Sequence, residues 1–542
     1  MIETLEKFFT FALVTKTSPA MEIRRYPVDT QTFSEIIEGN YVYVDKTKLV
    51  YKMTHEYRYV FLSRPRRFGK SLLCSTLKEY FLGNKDLFKG LKIDALEKDW
   101  VKYPVISLDL SFIDGKKIKD LISEQLTTYE KKMGLSEAST FSCRLSNIIE
   151  ALRQKNNKSV VVIIDGYDDY MIDSIGNSKL QDQVRAIITD LLAPLKGRED
   201  LLRYVFLTGI GNFCPMMYDS VLNNIYSISL NPDYETICGI SHDELMSTLK
   251  PDIQHFADKN GYTFENTVKY FKAKYDGYNF SYEMHGVFNP FSVIKALNDK
   301  QLNDYWFNSG TPTALLRLIN KFDIKMEDFE GVECGASRFN QPVEKITDLV
   351  PFLFQAGYLT IKDYKTFADE ENVFQTYTLG YPNGEVRMAF ANSLYTEYYK
   401  ATENIALRNA FIDFKINDDL DAFIEHLKVF FDEFPFSLND QKENEKHYHS
   451  ILYTVLTSFG AKISANRETA LGKADLVLNM PKTIYVIELK YDQSLESAKK
   501  QIRSRRYAKA YLDSGKRIVK LAIKFSSKDR NIESYEAVEE KI

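Results

Sequence analysis

Four short, largely apolar runs punctuate the first half of the chain: VFLS (60–63), VISLDL (105–110), VVVII (160–164) and YVFLT (204–208). A strand that is apolar at every position has both faces buried, and a parallel sheet covered by helices on both sides buries them. The intervening segments agree, with helical spacing over 72–81, a helical stretch with polar gaps over about 117–155, and another helix near 178–195. Strand and helix therefore alternate as in an open α/β layer. At 542 residues the chain is too long for one core. After about Asp243 the character changes: 243–330 reads as mostly helical with aromatic-rich loops, and two short strands follow around 359–361 and 376–379. Beyond the polar stretch 439–446 comes a compact α-β-β-α-β order, with a helix over 448–459, strands at 474–479 and 484–489, a helix at 494–512 and a strand at 518–524. We read three parts, 21–243, 244–415 and 416–542.

Composition excludes several classes. Hydrophobic residues make up 44% and charged residues 27%, as in ordinary globular proteins. Aromatics reach 13%, which argues for filled cores and against disorder. The formal net charge is −4, so contact with nucleic acid must come from a local basic face. Cys74, Cys143, Cys214, Cys238 and Cys334 are widely spaced without a CxxC pair, which points to reduced thiols instead of a zinc ribbon or a disulfide framework. The apolar stretch 8–14 follows Glu3 and Glu6 instead of a basic segment and does not read as a signal peptide. No run approaches the about 20 apolar residues that span a bilayer. The expectation is a soluble, cytoplasmic protein with no membrane partner.

The segment RPRRFGKS (64–71) lies directly between the first strand and its helix. A phosphate-binding loop needs backbone N–H groups aimed at the phosphates, a Lys to reach the β- and γ-phosphates, and a Ser or Thr to ligate Mg²⁺. Gly69, Lys70 and Ser71 supply the second half of that pattern, while Arg64 stands where its first Gly belongs. The run VVVIID ends in Asp165, placed to hold the Mg²⁺ shell about 95 residues downstream. Thr208, at the end of its strand, is a candidate sensor of the γ-phosphate. Gly166 stands where an acid usually polarises the attacking water; Asp168 and Asp169 are the nearby substitutes. Arg66 and Arg67 read equally as phosphate-neutralising groups and as solvated loop charges.

A second constellation lies near the C-terminus. Glu488 and Lys490, two apart on one strand, share a face. If that strand pairs with ADLVL as a hairpin, Asp475 comes beside Glu488, and two carboxylates converge on a hard cation such as Mg²⁺ with an ammonium alongside. Glu445, just before the helix entering this unit, is a further carboxylate, and Gln501 is an accessory on the next helix. That helix carries Lys499, Lys500, Arg503, Arg505, Arg506 and Lys509 among Tyr507 and Tyr511, a density suited to a phosphate backbone over 499–509. A solvent-exposed hairpin with strand-end charges is the competing reading. His449 reads as a packed or capping histidine.

The segments FLSRPRRFGKSLL (61–73), VVVIIDGYDDY (160–170), FLTGIGNF (206–213), YDGYNF (275–280), NPFSV (289–293), SGTP (309–312), FQAGYLTI (354–361) and GKADLVL with IYVIELK (472–490) occur in order. By them the chain resembles, from about Phe33 onward, the bacterial and archaeal AAA-ATPase-like proteins that carry a C-terminal domain of the PD-(D/E)xK nuclease superfamily. The resemblance implies a P-loop NTPase-like parallel sheet, the mostly helical middle region and a restriction-endonuclease-like α/β domain. It implies ATP-site roles for Lys70, Ser71 and Asp165, and nuclease roles for Asp475, Glu488 and Lys490 with Gln501 as an accessory. Two departures bear on ATP hydrolysis. Such proteins usually carry DEYDK where this chain has Asp165-Gly166-Tyr167-Asp168-Asp169, and a Ser and a basic residue where it has Gly211 and Asn212.

Two functions remain open at this stage. One is a nuclease that uses Mg and is regulated by ATP binding, with nucleic acid as its partner. The other is a nucleotide-gated binding switch with a degenerate ATPase and no turnover. P-loop proteins of this class often form homo-oligomers, though no residue here demands it.

Overall fold

A computed structural model of the chain describes residues 25–211, 224–306, 315, 318, 322, 325–341, 348–369, 371–434, 445–469, 472–494, 496–497, 511 and 514–540. The N-terminal part holds β1 (Tyr59–Ser63), β2 (Val105–Asp109), β3 (Val160–Asp165), β4 (Leu202–Gly209) and β5 (Tyr226–Ser227), in the spatial order β2-β3-β4-β1-β5. Every neighbouring pair is parallel. All six residues of β3 are buried, which is why its β-branched run carries no polar alternation. Between β2 and β3 the helical stretch divides into Ile118–Met133 and Phe141–Asn156, because Gly134 takes a left-handed conformation and ends the first helix. Parallel pairing brings the C-terminal ends of β1, β3 and β4 to one edge, where ligands of open α/β sheets bind.

The middle region is helical, as expected, with a further sheet set into it. Helices His242–Ser247, Lys250–Asn260, Phe264–Tyr275 and Pro290–Asp299 enclose a small core around Leu249, Ile253, Phe271 and Val293. Short strands β6 (Ile240–Ser241) and β7 (Val287–Phe288) pair antiparallel. The strands expected near 360 and 377 extend into a hairpin of β9 (Thr360–Ala368) and β10 (Val373–Gly380), joined on its other side by β8 (Val332–Cys334). Its outer half is exposed at Phe367, Val373 and Phe374. Helix Gly384–Ser393 then packs against helix Glu445–Ser458.

The C-terminal sheet contains β11 (Ile463–Thr469), β12 (Gly472–Asn479), β13 (Thr483–Tyr491), β14 (Arg517–Ser526) and β15 (Asn531–Glu539), side by side in chain order. Only β13 and β14 run parallel; the other pairs are antiparallel. Helices Ile405–Asn417 and Leu420–Glu433 pack on this sheet: Phe414 meets Phe423 and Tyr485, and Asp418 accepts from Thr483, Tyr485 and Arg517. One continuous apolar core includes Phe61 of the first sheet, Trp306 and Phe390 of the middle region, and Leu452 and Leu489 of the last unit. Among the described residues no helix is long and apolar enough to cross a membrane.

Candidate functional site

The loop after β1 turns sharply. Arg67 and Gly69 both have positive φ, and Gly69 caps helix Lys70–Phe81. Nothing lies within 4 Å of where a Cβ on Gly69 would stand, so there is open space beside the start of this helix, where an anion site would need it. The Lys70 ammonium folds back and donates to the carbonyl oxygens of Arg64 (2.9 Å) and Pro65 (3.0 Å). Arg64, at the position of the missing Gly, does not face a phosphate. Its buried guanidinium donates to the carbonyls of Ser63, Ser229 and Tyr234 and lies 4.1 Å from the Phe280 ring centre, and burial lowers its pKa to about 10. An apolar cavity of about 100 Å³ opens beside Gly69, lined by Val42, Phe68, Leu72 and Ile240 among others.

At the end of β3, the Asp165 carboxyl faces the Ser71 side chain. These are the two groups expected to share a Mg²⁺ shell. Burial pushes the Asp165 carboxyl up to about 6, opposed by Ser71 and by the Lys70 charge. The two substitute acids separate. Asp168 is fully buried and accepts from the backbone N–H groups of Ile210 (3.0 Å) and Gly211 (2.6 Å), so it clamps the end of β4. Asp169 accepts from the Phe112 N–H; burial raises its pKa while the Arg66 and Lys70 charges oppose the rise. Asp169 is therefore the acid turned toward the loop cations. Gly166 has φ +65°, and a Cβ there would stand 2.9 Å from the Ser111 backbone nitrogen. Thr208 departs from the sensor reading: it is fully buried and its hydroxyl donates to the Leu62 carbonyl at 2.7 Å, tying β4 to β1. Arg67 lies over the Phe291 ring. Asn212 lies outside the described residues.

In the C-terminal unit, β12–β13 pairing runs from Asn479 opposite Ile484 to Leu476 opposite Ile487, so Asp475 and Glu488 are next in register. Asp475 then replaces a rung of the ladder with its side chain, Oδ2 accepting from the Leu489 N–H at 2.8 Å. Glu488 is 0% exposed. The Lys490 ammonium lies 3.5 Å from Glu488 Oε1 and 3.3 Å from Glu445 Oε1, and donates to the Leu489 carbonyl at 2.8 Å. The hairpin thus gathers Asp475, Glu488 and Lys490, and helix Glu445–Ser458 adds Glu445 at its first residue. Gln501 and the basic stretch 499–509 lie outside the described residues. Among the described residues no group of three or more His, Cys, Asp or Glu is arranged to hold a metal ion; the ammonium of Lys490 stands among the carboxylates instead.

Sequence reading missed the groups that brace these centres. The Trp306 indole N–H donates to the Arg66 carbonyl (2.8 Å), and its backbone N–H donates to Glu385 (2.7 Å), which also accepts from Ser292. Gly357 packs on Pro65 so closely that a Cβ would stand 2.6 Å away. Arg387 donates to Glu330, to the Tyr453 hydroxyl and to the carbonyls of Ala461 and Ile463. Glu327 meets His449, which in turn reaches the Asp475 carbonyl. These partners are far apart in sequence and carry no motif; the Gly of FQAGYLTI and the Pro of RPRRFGKS were the visible signals, though not that they touch.

Comparison with known proteins falls on the same two regions. Residues 27–217 match a family model described as a predicted AAA-ATPase, and residues 443–535 match one described as PD-(D/E)XK nuclease superfamily. A protein of Azotobacter chroococcum mcd 1, described as an uncharacterized protein in the vnfD 5' region, is 27% identical over 529 residues, covering 94% of this chain and 98% of that one. The chain therefore joins a domain of the AAA-ATPase-like family to a domain of the PD-(D/E)XK nuclease superfamily.

Proposed function

We propose that the protein is a Mg²⁺-dependent nuclease whose cleavage of nucleic-acid phosphodiester bonds is governed by ATP bound at the loop after β1. The reading rests above all on Lys490 lying against Glu488 and Glu445 at the end of β13, with the Asp475 carboxylate held on the adjacent Leu489 N–H. Their donors to a cation are oxygens only, which suits a hard ion, and the Lys490 ammonium between Glu445 and Glu488 marks a position that positive charge stabilises. In this reading Asp475 and Glu488 hold the ion, with Glu445 beside them. When bound, Mg²⁺ polarises the scissile phosphate and lowers the pKa of a coordinated water. Lys490 positions the nucleophile and offsets charge on the phosphate. Gln501 is an accessory of this centre, and the basic residues of 499–509 would track the nucleic-acid backbone.

At the other centre Gly69 and Lys70 take the phosphates, Ser71 and Asp165 share a Mg²⁺ shell, and the apolar cavity beside Gly69 takes the base. With Gly166 at the usual acidic position, binding rather than hydrolysis is the governing event. The parts 21–243, 244–415 and 416–542 then serve as nucleotide, connecting and nuclease units. The test is cleavage of single- and double-stranded DNA and RNA with Mg²⁺ or Mn²⁺, with and without ATP, in wild type and Lys490→Ala. Cleavage confined to wild type supports the nuclease. Equal cleavage by the variant removes it, and no cleavage of any substrate by a chain that binds both metal and ATP favours a non-catalytic switch.

A further inference from the structure

We propose that Glu327 and His449 are positioning residues for the metal-binding strand β12, so that the nuclease centre is completed by the middle region of the chain. The inference rests on the nuclease reading above and adds to it a part that the matched nuclease span does not contain.

His449 sits on the buried face of helix Glu445–Ser458. Its Nδ1 lies 3.2 Å from Glu327 Oε1 and its Nε2 lies 2.9 Å from the Asp475 carbonyl oxygen. A peptide carbonyl only accepts, and so does an ionised carboxylate, so each ring nitrogen must bring a hydrogen to make both bonds. The geometry thus describes an imidazolium held between Glu327 and the backbone of Asp475.

Asp475 has a reason to need this support. The β12–β13 pairing stops at Leu476 opposite Ile487, and Asp475 spends one carboxylate oxygen on the Leu489 N–H. Its own carbonyl is taken by His449. The imidazolium therefore fixes the peptide from which this metal-binding carboxylate projects. Loss of a group that orients a metal ligand typically costs about 10- to 100-fold in metal affinity.

Glu327 belongs to the short turn Met326–Phe329, well before the nuclease match begins at residue 443. Arg387, on helix Gly384–Ser393, holds the same helix through Tyr453 and the start of the neighbouring strand β11 through Ile463. The middle region is thus part of the scaffold of the C-terminal centre.

The test measures Mn²⁺ affinity of the full chain without nucleotide, by calorimetry and by the Mn²⁺ electron-spin-resonance signal, the site being identified by its loss in Asp475→Asn. Glu327→Gln and His449→Gln should each weaken Mn²⁺ binding by about 10- to 100-fold, while binding of an ATP analogue is unchanged. The double variant pairs two neutral amides and can still offer an N–H to the Asp475 carbonyl, so it should recover affinity beyond either single change. It also serves if a single variant, left with an uncompensated buried charge, does not fold. Wild-type Mn²⁺ affinity in the folded single variants, or a folded double variant with no recovery, overturns the assignment. A wild-type chain that binds the ATP analogue but no Mn²⁺ overturns the nuclease reading itself.

Discussion

Glu385 offers a quantitative test of the packing between the two centres. It is fully buried at the start of helix Gly384–Ser393 and accepts from the Trp306 N–H and the Ser292 hydroxyl. Burial pushes its carboxyl from 4.5 up to about 7; the two hydrogen bonds and the Lys274 charge oppose the rise, and Asp304 adds to it. Its ionised form is thereby destabilised in the folded chain by about 3 kcal/mol. Because the folded chain holds this proton more tightly than the unfolded chain, the contribution is fully present below pH 4.5 and is lost as pH rises from 4.5 through about 7. Between pH 5.5 and 8.5 the wild type should lose about 2 kcal/mol through this one group, and Glu385→Gln should not. Other titrating groups cancel when the two proteins are compared at each pH. Any fixed cost of placing an amide there cancels as well, so the difference in slope is the quantity to read. In thermal unfolding it should appear as a gain of roughly 4–8 °C for the variant relative to wild type across that range, for a cooperative unit of 150–250 residues. Parallel curves would refute the reasoning, because they would mean that Glu385 ionises in the fold at its ordinary pKa.

Two further outcomes follow from the proposed nucleotide site. Gly166→Glu, the replacement that would restore the missing acid, should leave ATP turnover unrestored and lower stability by about 2 kcal/mol, because a side chain there meets the Ser111 backbone at positive φ; faster turnover in a phosphate-release assay would show that the loop yields. Thr208→Val should cost about 1 kcal/mol in chemical denaturation by deleting the bond to Leu62, with ATP-analogue affinity unchanged; a tenfold loss of affinity at unchanged stability would reinstate the hydroxyl as a phosphate sensor.

What the sequence disclosed, and what it did not, divides along physical lines. VVVII could only be a strand buried on both faces, and β3 is one. The spacing of Asp475, Glu488 and Lys490 was legible because a hairpin is a local structure whose register follows from a short turn. The outermost strands were not anticipated: β11 and β15 carry polar residues along ISANRET and NIESYEAVE, as edge strands do, which weakens the apolar signal. Helices Ile405–Asn417 and Leu420–Glu433 had signals that went unread, namely Asn404 and Asp419 as caps and buried residues at 407, 410, 411, 414 and at 423, 424, 427, 430, 431. The division of labour between Asp168 and Asp169 was beyond reach. It depends on which carboxylate meets the N–H groups of Ile210 and Gly211, and adjacent residues in a turn give no period to argue from. Glu327 was further still, since its partner lies across the middle region and no motif joins them.

The arrangement bears on how a nucleotide at one edge would be felt at the other. A ligand shifts an equilibrium only by the difference in its affinity for the two states, so under the proposed function some contact near the loop after β1 would have to change on ATP binding. Lys70 is the natural one. Its ammonium now rests on the carbonyls of Arg64 and Pro65, and to reach a phosphate it must leave them. The next carbonyl, that of Arg66, is held by Trp306, whose own N–H is held by Glu385. Two residues after Glu385, Arg387 grips Tyr453 and the start of β11. Each of these links is a hydrogen bond in a closely packed interior, where elements move between discrete packings instead of deforming smoothly. Under the proposed function, the loop carbonyls that Lys70 and Trp306 occupy side by side are the first contacts through which such coupling would run.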